Sequence, residues 1–377
     1  MTIPPDMDAY GRVRCAILGA TGLVAQRLFQ RLQFHPWLEP VAIIGSHKTS
    51  GTPHDVCLWS LDEERSPESG LTIGGLEDVG KLIENFQELG VRIVFSALPD
   101  EPAAQVERPL ASAGFIVVSH AQIHRLEDDV PLIVPEVNIE HLSVLANQTD
   151  HGNGRLIACS NCTVAPLAIT LAPLLQLAPI AAIAISTEQA LSGGGRKMLA
   201  AGRAGKQMPS DIPGEADSVR TELAKILETN VRIAAECKRV MRDHGHYARL
   251  EVVFAEPVSA HQVIMAWREF TTRSQELDLP SAPSRPIVFV DGELSQKHRW
   301  VGSEGVKHPG HNLKAAMSVA VGEVEVEGSS LRFSTFADNT IRGAAGYSVL
   351  LAEQLLADGL MHDNNTILSG EIDRTRQ

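Results

Sequence analysis

The chain is expected to fold as α/β, with a doubly wound domain on a parallel sheet followed by an α+β domain whose sheet is largely antiparallel. Three observations predict it. Near the N-terminus an apolar run ends in a Gly-rich turn that opens a helical pattern. Further apolar runs, bounded by turn residues, alternate with helical spacing up to about residue 160. From residue 183 the pattern changes to a mixture of runs, some strictly alternating, that suits antiparallel strands with one face free for another subunit.

The first strand is residues 12–18, which alternate and then turn apolar as a buried parallel strand does. Gly19-Ala-Thr-Gly22-Leu-Val-Ala25 follows at once, and residues 26–33 continue with helical spacing. Strand, Gly-rich turn and helix are the context of a Rossmann-type dinucleotide-binding fingerprint. Gly19 permits the tight turn, Gly22 lets the backbone approach a pyrophosphate, and Ala25 is the small residue at the helix–strand contact. Residues 39–44 form the next strand, and the loop after it offers Ser46, Lys48, Thr49 and Ser50 where an NAD site usually has an acid. Hydroxyls and a cation suit a 2′-phosphate, which favours NADP. Strands are expected at 91–98, 114–119 and 130–135, with a helix over 103–113.

In the second half, residues 182–190 and 248–254 read as strands and 218–228 as an amphipathic helix. Residues 262–270 fit helix or strand equally, and 288–291, 315–326 and 330–335 read as strands. A last helix, 344–358, is expected to return to the first domain, giving 1–160 plus 340–377 as one domain and 161–339 as the catalytic and dimerisation domain. The tail after residue 361 is polar and expected to be loose.

At 377 residues there is length for two cores. A net charge of −13 excludes the basic stripe a nucleic-acid partner needs, while a local Arg cluster can still hold a small anion. Five cysteines, an odd number outside any secreted framework, indicate reduced thiols and a cytoplasmic setting. Residues 1–11 lack a basic-then-apolar signal pattern, and no apolar run approaches a membrane span. A soluble protein without nucleic-acid or membrane partners is expected.

The chemistry centres on residues 155–168, where an apolar run meets Ser160-Asn-Cys-Thr163 and then a helical run of Ala, Leu and Ile. Cys162 would sit at a strand-to-helix turn, where backbone N–H groups and the helix dipole favour thiolate. The commoner fate of a free Cys is that of a small buried hydrophobe.

Eight separated motifs agree with one family. They are Gly19-Ala-Thr-Gly22, Phe95-Ser-Ala-Leu-Pro99, Pro135-Glu-Val-Asn138, Ser160-Asn-Cys-Thr163, Gln189-Ala-Leu-Ser-Gly193, Ile212-Pro-Gly-Glu215, Arg239-Val with Gly245-His246, and Asp338-Asn-Thr-Ile-Arg-Gly-Ala-Ala-Gly346. In this order and spacing the chain resembles the aspartate-β-semialdehyde dehydrogenases, in particular their archaeal and fungal branch. The resemblance implies a Cys162 nucleophile, His246 as general acid/base and Gln189 orienting the substrate. It implies that Arg239 and Glu215 hold substrate carboxylate and amine, with Asn161 beside them and Arg125 at a phosphate position. The cofactor is implied to be NADP, held by Gly19, Ala20, Thr21, Gly22, Leu23, Val24, Ser46, Lys48, Thr49, Ser96, Ala97 and Leu98, with Ser192, Gly193 and Asn339 near the nicotinamide. The implied partners are a small acyl substrate, phosphate and a second copy in a homodimer or homotetramer. The implied reaction, in amino-acid biosynthesis, is reduction of an acyl phosphate to an aldehyde through a Cys162 thioester.

The chain departs from the family at several positions. Ser218 stands where a phosphate-binding Lys is usual, His120 replaces an Asn, and Met241, Arg242 and His244 alter the motif that leads to His246. Arg242, Arg196 or Lys197 are candidates to supply the missing cation. Acyl-CoA or another acyl phosphate as substrate, or an NADP-binding paralogue without catalysis, are the alternatives. Cys159 and Cys162 form a C-x-x-C, suited to a regulatory disulfide; no metal is expected, since zinc needs a second ligand pair and His244 and His246 already belong to the motif.

Overall fold

Strand β1, Val13–Leu18, is buried from Cys15 to Leu18, as the centre of a sheet covered on both faces requires. It belongs to the first of two compact units of a computed structural model that describes residues 11–65 and 69–359. The first unit takes residues 1–159, 277–280 and 348–377, and the second takes 160–276 and 281–347. The chain therefore returns to the first unit at Ser348, whereas the sequence suggested residue 340. Expectations for the N-terminal ten residues and for the tail after 361 fall outside the described residues.

In the first unit β2 (Leu38–Gly45), β3 (Gly74–Gly75), β4 (Ile93–Ser96), β5 (Ile116–Ser119), β6 (Leu132–Ile133) and β7 (Arg155–Cys159) join β1. The order is β3-β2-β1-β4-β5-β7-β6, every pair parallel. Strand order reverses between β1 and β4, and the crevice beyond the strand ends there is where such sheets bind ligands. Gly19 leaves β1 at φ +93°, and a Cβ would lie 2.7 Å from the carbonyl oxygen of Ala97 beyond β4. Only glycine fits that turn. The following helix, Leu23–Leu32, is buried nearly all round, and its Arg27 donates Nη1 to Gln30 at 2.6 Å and to Glu63 at 2.7 Å. The C-terminal helix Gly346–Ala357 is tied in by Glu353, 2.8 Å from the buried ring of His35.

The second unit holds β8 (Ile180–Gln189), β9 (Arg232–Arg239), β10 (His246–Phe254), β11 (Ile287–Phe289), β12 (Val319–Glu327) and β13 (Ser330–Ala337), in the order β11-β12-β13-β10-β8-β9. The three central pairs are antiparallel and the two outer pairs parallel, so the sheet is mixed. One face is covered by helices Val164–Leu177 and Ala260–Glu269, where Trp267 donates to the Thr170 carbonyl at 3.0 Å and packs 4.9 Å from the Phe333 ring. The stretch that fitted helix or strand is this second helix, fixed by a Ser259–Gln262 capping box. The other face carries an open groove of about 590 Å³, lined by Ala184, Ser186, Ala235, Arg249 and Glu251 among others. Strand β9 was not foreseen because it is mostly exposed, so its apolar alternation is weak.

Replacing Gly19 with Ala forces a left-handed backbone on a residue with a Cβ and drives it into Ala97. The variant should lose about 2 kcal/mol, seen as a lower urea midpoint together with weaker NADP binding.

Candidate active site

Cys162 follows the end of β7 and precedes the helix Val164–Leu177, as the motif requires. The turn is made by Asn161, whose side-chain oxygen accepts the Thr163 N–H at 2.8 Å and whose carbonyl accepts the Val164 N–H at 2.9 Å. Its own N–H donates to Glu222 at 2.7 Å. From the other side Gly343 comes so close that a Cβ there would stand 2.4 Å from the Cys162 carbonyl oxygen. The tight turn at Ile341–Ala345 that brings it in is capped by Asp338, which accepts the Thr340 and Ile341 N–H groups at 2.8 and 2.7 Å and pairs with Arg299.

Strand register delivers the partners. Gln189 ends β8 beside Arg239, which ends β9, and His246 opens β10 opposite Ala337 at the end of β13. His246 is thereby placed with Nε2 3.2 Å from Cys162 Sγ. Its Nδ1 accepts the backbone N–H of Ala190 at 3.2 Å. Burial, then the guanidiniums of Arg242 and Arg239, push the imidazole down to about 3, with Asp338 and a backbone contact at Gly245 opposing. It is neutral at physiological pH.

Glu215, at the head of helix Glu215–Ile226, is the second gathering point. It accepts from Gln189 at 2.5 Å, Asn161 at 3.0 Å and the Thr163 hydroxyl at 3.3 Å. Arg239 donates to the Ala190 carbonyl at 3.0 Å, and both Cys162 and Glu215 favour its charged form against the burial that lowers its pKa. Cys162, His246, Gln189, Glu215, Asn161 and Arg239 thus stand together in one unit. Ser192 and Asn339 are hydrogen-bonded to each other in the same unit, Asn339 also accepts the Gly245 N–H at 2.9 Å, and Gly193 lies against the His246 ring.

The other sequence-derived candidates belong to the first unit. Residues 19–24 and 96–98 follow β1 and β4 at the switch point, and Ser46 and Lys48 are exposed after β2 with Thr49 turned back on the Ser46 carbonyl. Arg125 is buried, its Nε and Nη2 donating to the carbonyls of Cys159 and His120 at 3.0 and 2.9 Å. Burial, with Arg125 beside it, pushes His120 down to about 3. Of the cations proposed to replace the missing Lys, Arg242 spends Nε and Nη2 on the Gly245 and Glu188 carbonyls and lies over the Phe336 ring. Arg196 and Lys197 ride on helix Gly195–Arg203, Lys197 exposed. Ser218 is buried in the helix that carries Glu215 and Glu222. Cys159 and Cys162 are not joined by a disulfide. Among the described residues no three His, Cys, Asp or Glu side chains converge on a metal position.

Sequence reasoning missed Glu222, Thr163, the Ala190 N–H and Tyr347, whose hydroxyl donates to the Ser160 carbonyl at 3.1 Å. Glu222 had a signal: with Ser218 it continues the face of Glu215 along one helix. A backbone N–H has none.

Residues 14–145 match the family model described as semialdehyde dehydrogenase, NAD binding domain, which places the first unit in that class of dinucleotide-binding domain. The aspartate-semialdehyde dehydrogenase of Archaeoglobus fulgidus is 30% identical over 93% of this chain and all of its own length. A malonyl CoA reductase (NADP) from Metallosphaera sedula is 30% identical over 92% of this chain and 98% of its own. Among solved structures, aspartate semialdehyde dehydrogenase with NADP from Candida albicans superposes with a TM-score of 0.75 at 29% identity, covering 92% of this chain and 99% of that one. The chain belongs to the aspartate-semialdehyde dehydrogenase family.

Glu222→Ala leaves the Asn161 N–H without its acceptor, at a cost of about 1–3 kcal/mol. The urea midpoint and the rate of Cys162 alkylation should both fall, and Glu222→Gln, which keeps an acceptor oxygen, should restore most of each. Folding also favours the neutral His246 ring. Its contribution to stability is full above pH 6.5 and is lost as the pH falls toward about 3. The acid-side drop in urea midpoint should therefore be smaller in His246→Gln than in the wild type.

Proposed function

We propose that the chain is an NADP-dependent dehydrogenase that interconverts aspartyl-4-phosphate and aspartate semialdehyde through a thioester on Cys162. The observation that carries the reading is the 3.2 Å contact between the Sγ of Cys162, at the head of a helix, and the buried ring of His246. In the proposed reaction Cys162 attacks the acyl carbon and His246 Nε2 serves the oxygen that becomes negative there. Arg239 holds the substrate carboxylate, Glu215 its ammonium, and Gln189 and Asn161 orient it.

The residues present fit NADP. The helix after Gly22 has no side-chain cap, so its first N–H groups are free of competition for a phosphate, and the turn leaves no room for a Cβ at Gly19. Exposed Ser46 and Lys48, with no acid in the loop, suit a 2′-phosphate. When bound, the cofactor supplies or accepts the hydride. The open face of the second sheet supports pairing of two copies, and five free thiols support a cytoplasmic setting.

A second reading is favoured by one position. Ser218 removes a cation from the pocket wall, which suits an acyl-CoA whose leaving group carries no phosphate at the reacting carbon. The Metallosphaera relative, a malonyl CoA reductase, supports the same alternative.

NADPH oxidation with aspartyl phosphate, compared with malonyl-CoA and succinyl-CoA, decides between them. Turnover with aspartyl phosphate is expected, and Cys162→Ser should lower kcat by roughly 10⁴-fold or more. Reduction of the thioesters alone transfers the chain to the second reading. Failure with every acyl donor would leave a dinucleotide-binding protein without this chemistry.

A further inference from the structure

We propose that His124 is a positioning residue for Arg125. As a buried imidazolium shared by Glu107 and Glu127 it fixes the turn that carries Arg125, and loss of its proton weakens the hold on phosphate. The link to phosphate rests on the reading that puts Arg125 at the phosphate position; the charged ring does not.

The turn is tied to one helix at both ends. Residues Gln122–His124 form a single 3-10 turn that packs on the helix Asp100–Ser112. At its start Asp100 accepts the Gln122 and Ile123 N–H groups at 2.7 and 3.2 Å. At its end His124 stands between two carboxylates, with Nε2 3.1 Å from Glu107 of the helix and Nδ1 3.1 Å from Glu127. Glu107 is fully buried and His124 nearly so. Arg125 follows directly, and its guanidinium donates to the carbonyls of His120 and of Cys159, the last residue of β7.

Two carboxylates on one ring decide its charge. A neutral imidazole has one N–H, so its other nitrogen would turn a lone pair toward a carboxylate oxygen 3.1 Å away. A proton on Glu107 in place of the ring would serve that contact, but would forgo the attraction of an imidazolium for Glu127. Glu127 also accepts from Arg108 at 2.6 Å, a guanidinium that Asp129 shares at 3.0 Å. The charged groups around the ring are therefore Asp100, Glu107 and Arg108 from the helix, Glu127 and Asp129 from the segment after the turn, and Arg125 beside it. Burial works against the charge, yet the bonds to Glu107 and Glu127 outweigh it and hold the ring above its usual 6.5. His120, ahead of the turn, is pushed the other way, to about 3, by burial and Arg125.

Loss of the proton leaves the buried Glu107 facing a neutral ring, and a carboxylate removed from water needs a compensating charge. The turn is then driven from the helix, and Arg125, its next residue, moves with it. The contribution of His124 to stability is full below pH 6.5 and is lost as the pH rises through the raised value. Proton and phosphate, at separate sites, thereby strengthen each other's binding.

The test uses the full chain and inorganic phosphate as the probe. In ¹⁵N-imidazole spectra the His124 signals are those lost in His124→Gln. They should show imidazolium at about pH 6 and a titration above the ordinary histidine range. Glu107→Gln should lower that titration, and saturating phosphate should raise it. A ring already neutral at about pH 6, or a titration that ignores Glu107→Gln, would overturn the imidazolium. By calorimetry His124→Gln should weaken phosphate binding at least about fivefold at pH near 6, and the difference should fade by about pH 9. In an Arg125→Ala background the same substitution should add nothing. No loss in His124→Gln, a loss equal at every pH, or one that persists without Arg125 would overturn the positioning role. Phosphate binding untouched by Arg125→Ala would sink the Arg125 reading and the phosphate link with it, while the spectra still decide the charged ring.

Discussion

The contact between Cys162 Sγ and His246 Nε2 is the constraint to which the second unit is built. It needs a sulfur at the head of a helix and an imidazole at the first residue of a strand, though 84 residues separate them in the chain. Five local devices make that meeting reproducible. Glu222 and the Asn161 side chain fix the turn before the sulfur, and Gly343 lets the turn after β13 close against it. Asn339 holds Gly245 and Arg242 holds its carbonyl, so the residue before His246 is pinned through both backbone groups. Remove any one and the displacement is passed on to this contact, because close-packed interiors transmit strain.

Charge in this site is managed by hydrogen bonds more than by counter-ions. Glu215 and Glu222 bring two carboxylates near a sulfur that is proposed to act as an anion. Unscreened, they would oppose its ionisation. Glu215 instead turns its oxygens to Gln189, Asn161 and Thr163, and Glu222 turns one to the Asn161 N–H. The negative potential is spent on dipoles that also shape the pocket. Arg239, placed by β9 at the level of Gln189, is the cation whose ionisation the sulfur favours. In a chain with a net charge of −13, Arg239 is thus a cation held beside the sulfur.

The fold was legible wherever burial imposes a period. The parallel strands of the first unit are continuous apolar runs because both faces are covered, and the Gly19 turn announces itself because no other residue fits there. The antiparallel core strands β10 and β13 were legible for the same reason, having one buried face. Strand β9 was not, since its side chains are largely solvated, and yet it delivers Arg239. At the site the motifs named the side chains that gather around Cys162, but nothing in them says where Arg242 points. As a free cation it was a candidate for the substrate; in the fold its nitrogens are committed to carbonyls and to Glu188. Backbone groups such as the Ala190 N–H have no sequence signature at all, although here one of them donates to the His246 ring.

The nucleophile and the leaving group make separate demands on this pocket. In the proposed reaction, attack and hydride addition would involve the sulfur, the imidazole and the acyl oxygen, and those demands would be the same for an acyl phosphate and a thioester. The leaving groups differ in charge. A phosphate brings close to two negative charges to a wall that already carries Glu215 and Glu222, with Ser218 between them on the same helix where a lysine would have balanced them. A thioester brings none to that wall. Arg242 does not settle the difference by itself, because it already spends two nitrogens on backbone carbonyls. On the proposed reaction, the preferred acyl donor would therefore measure the cationic charge that can be brought to the departing group, independently of how reactive Cys162 is.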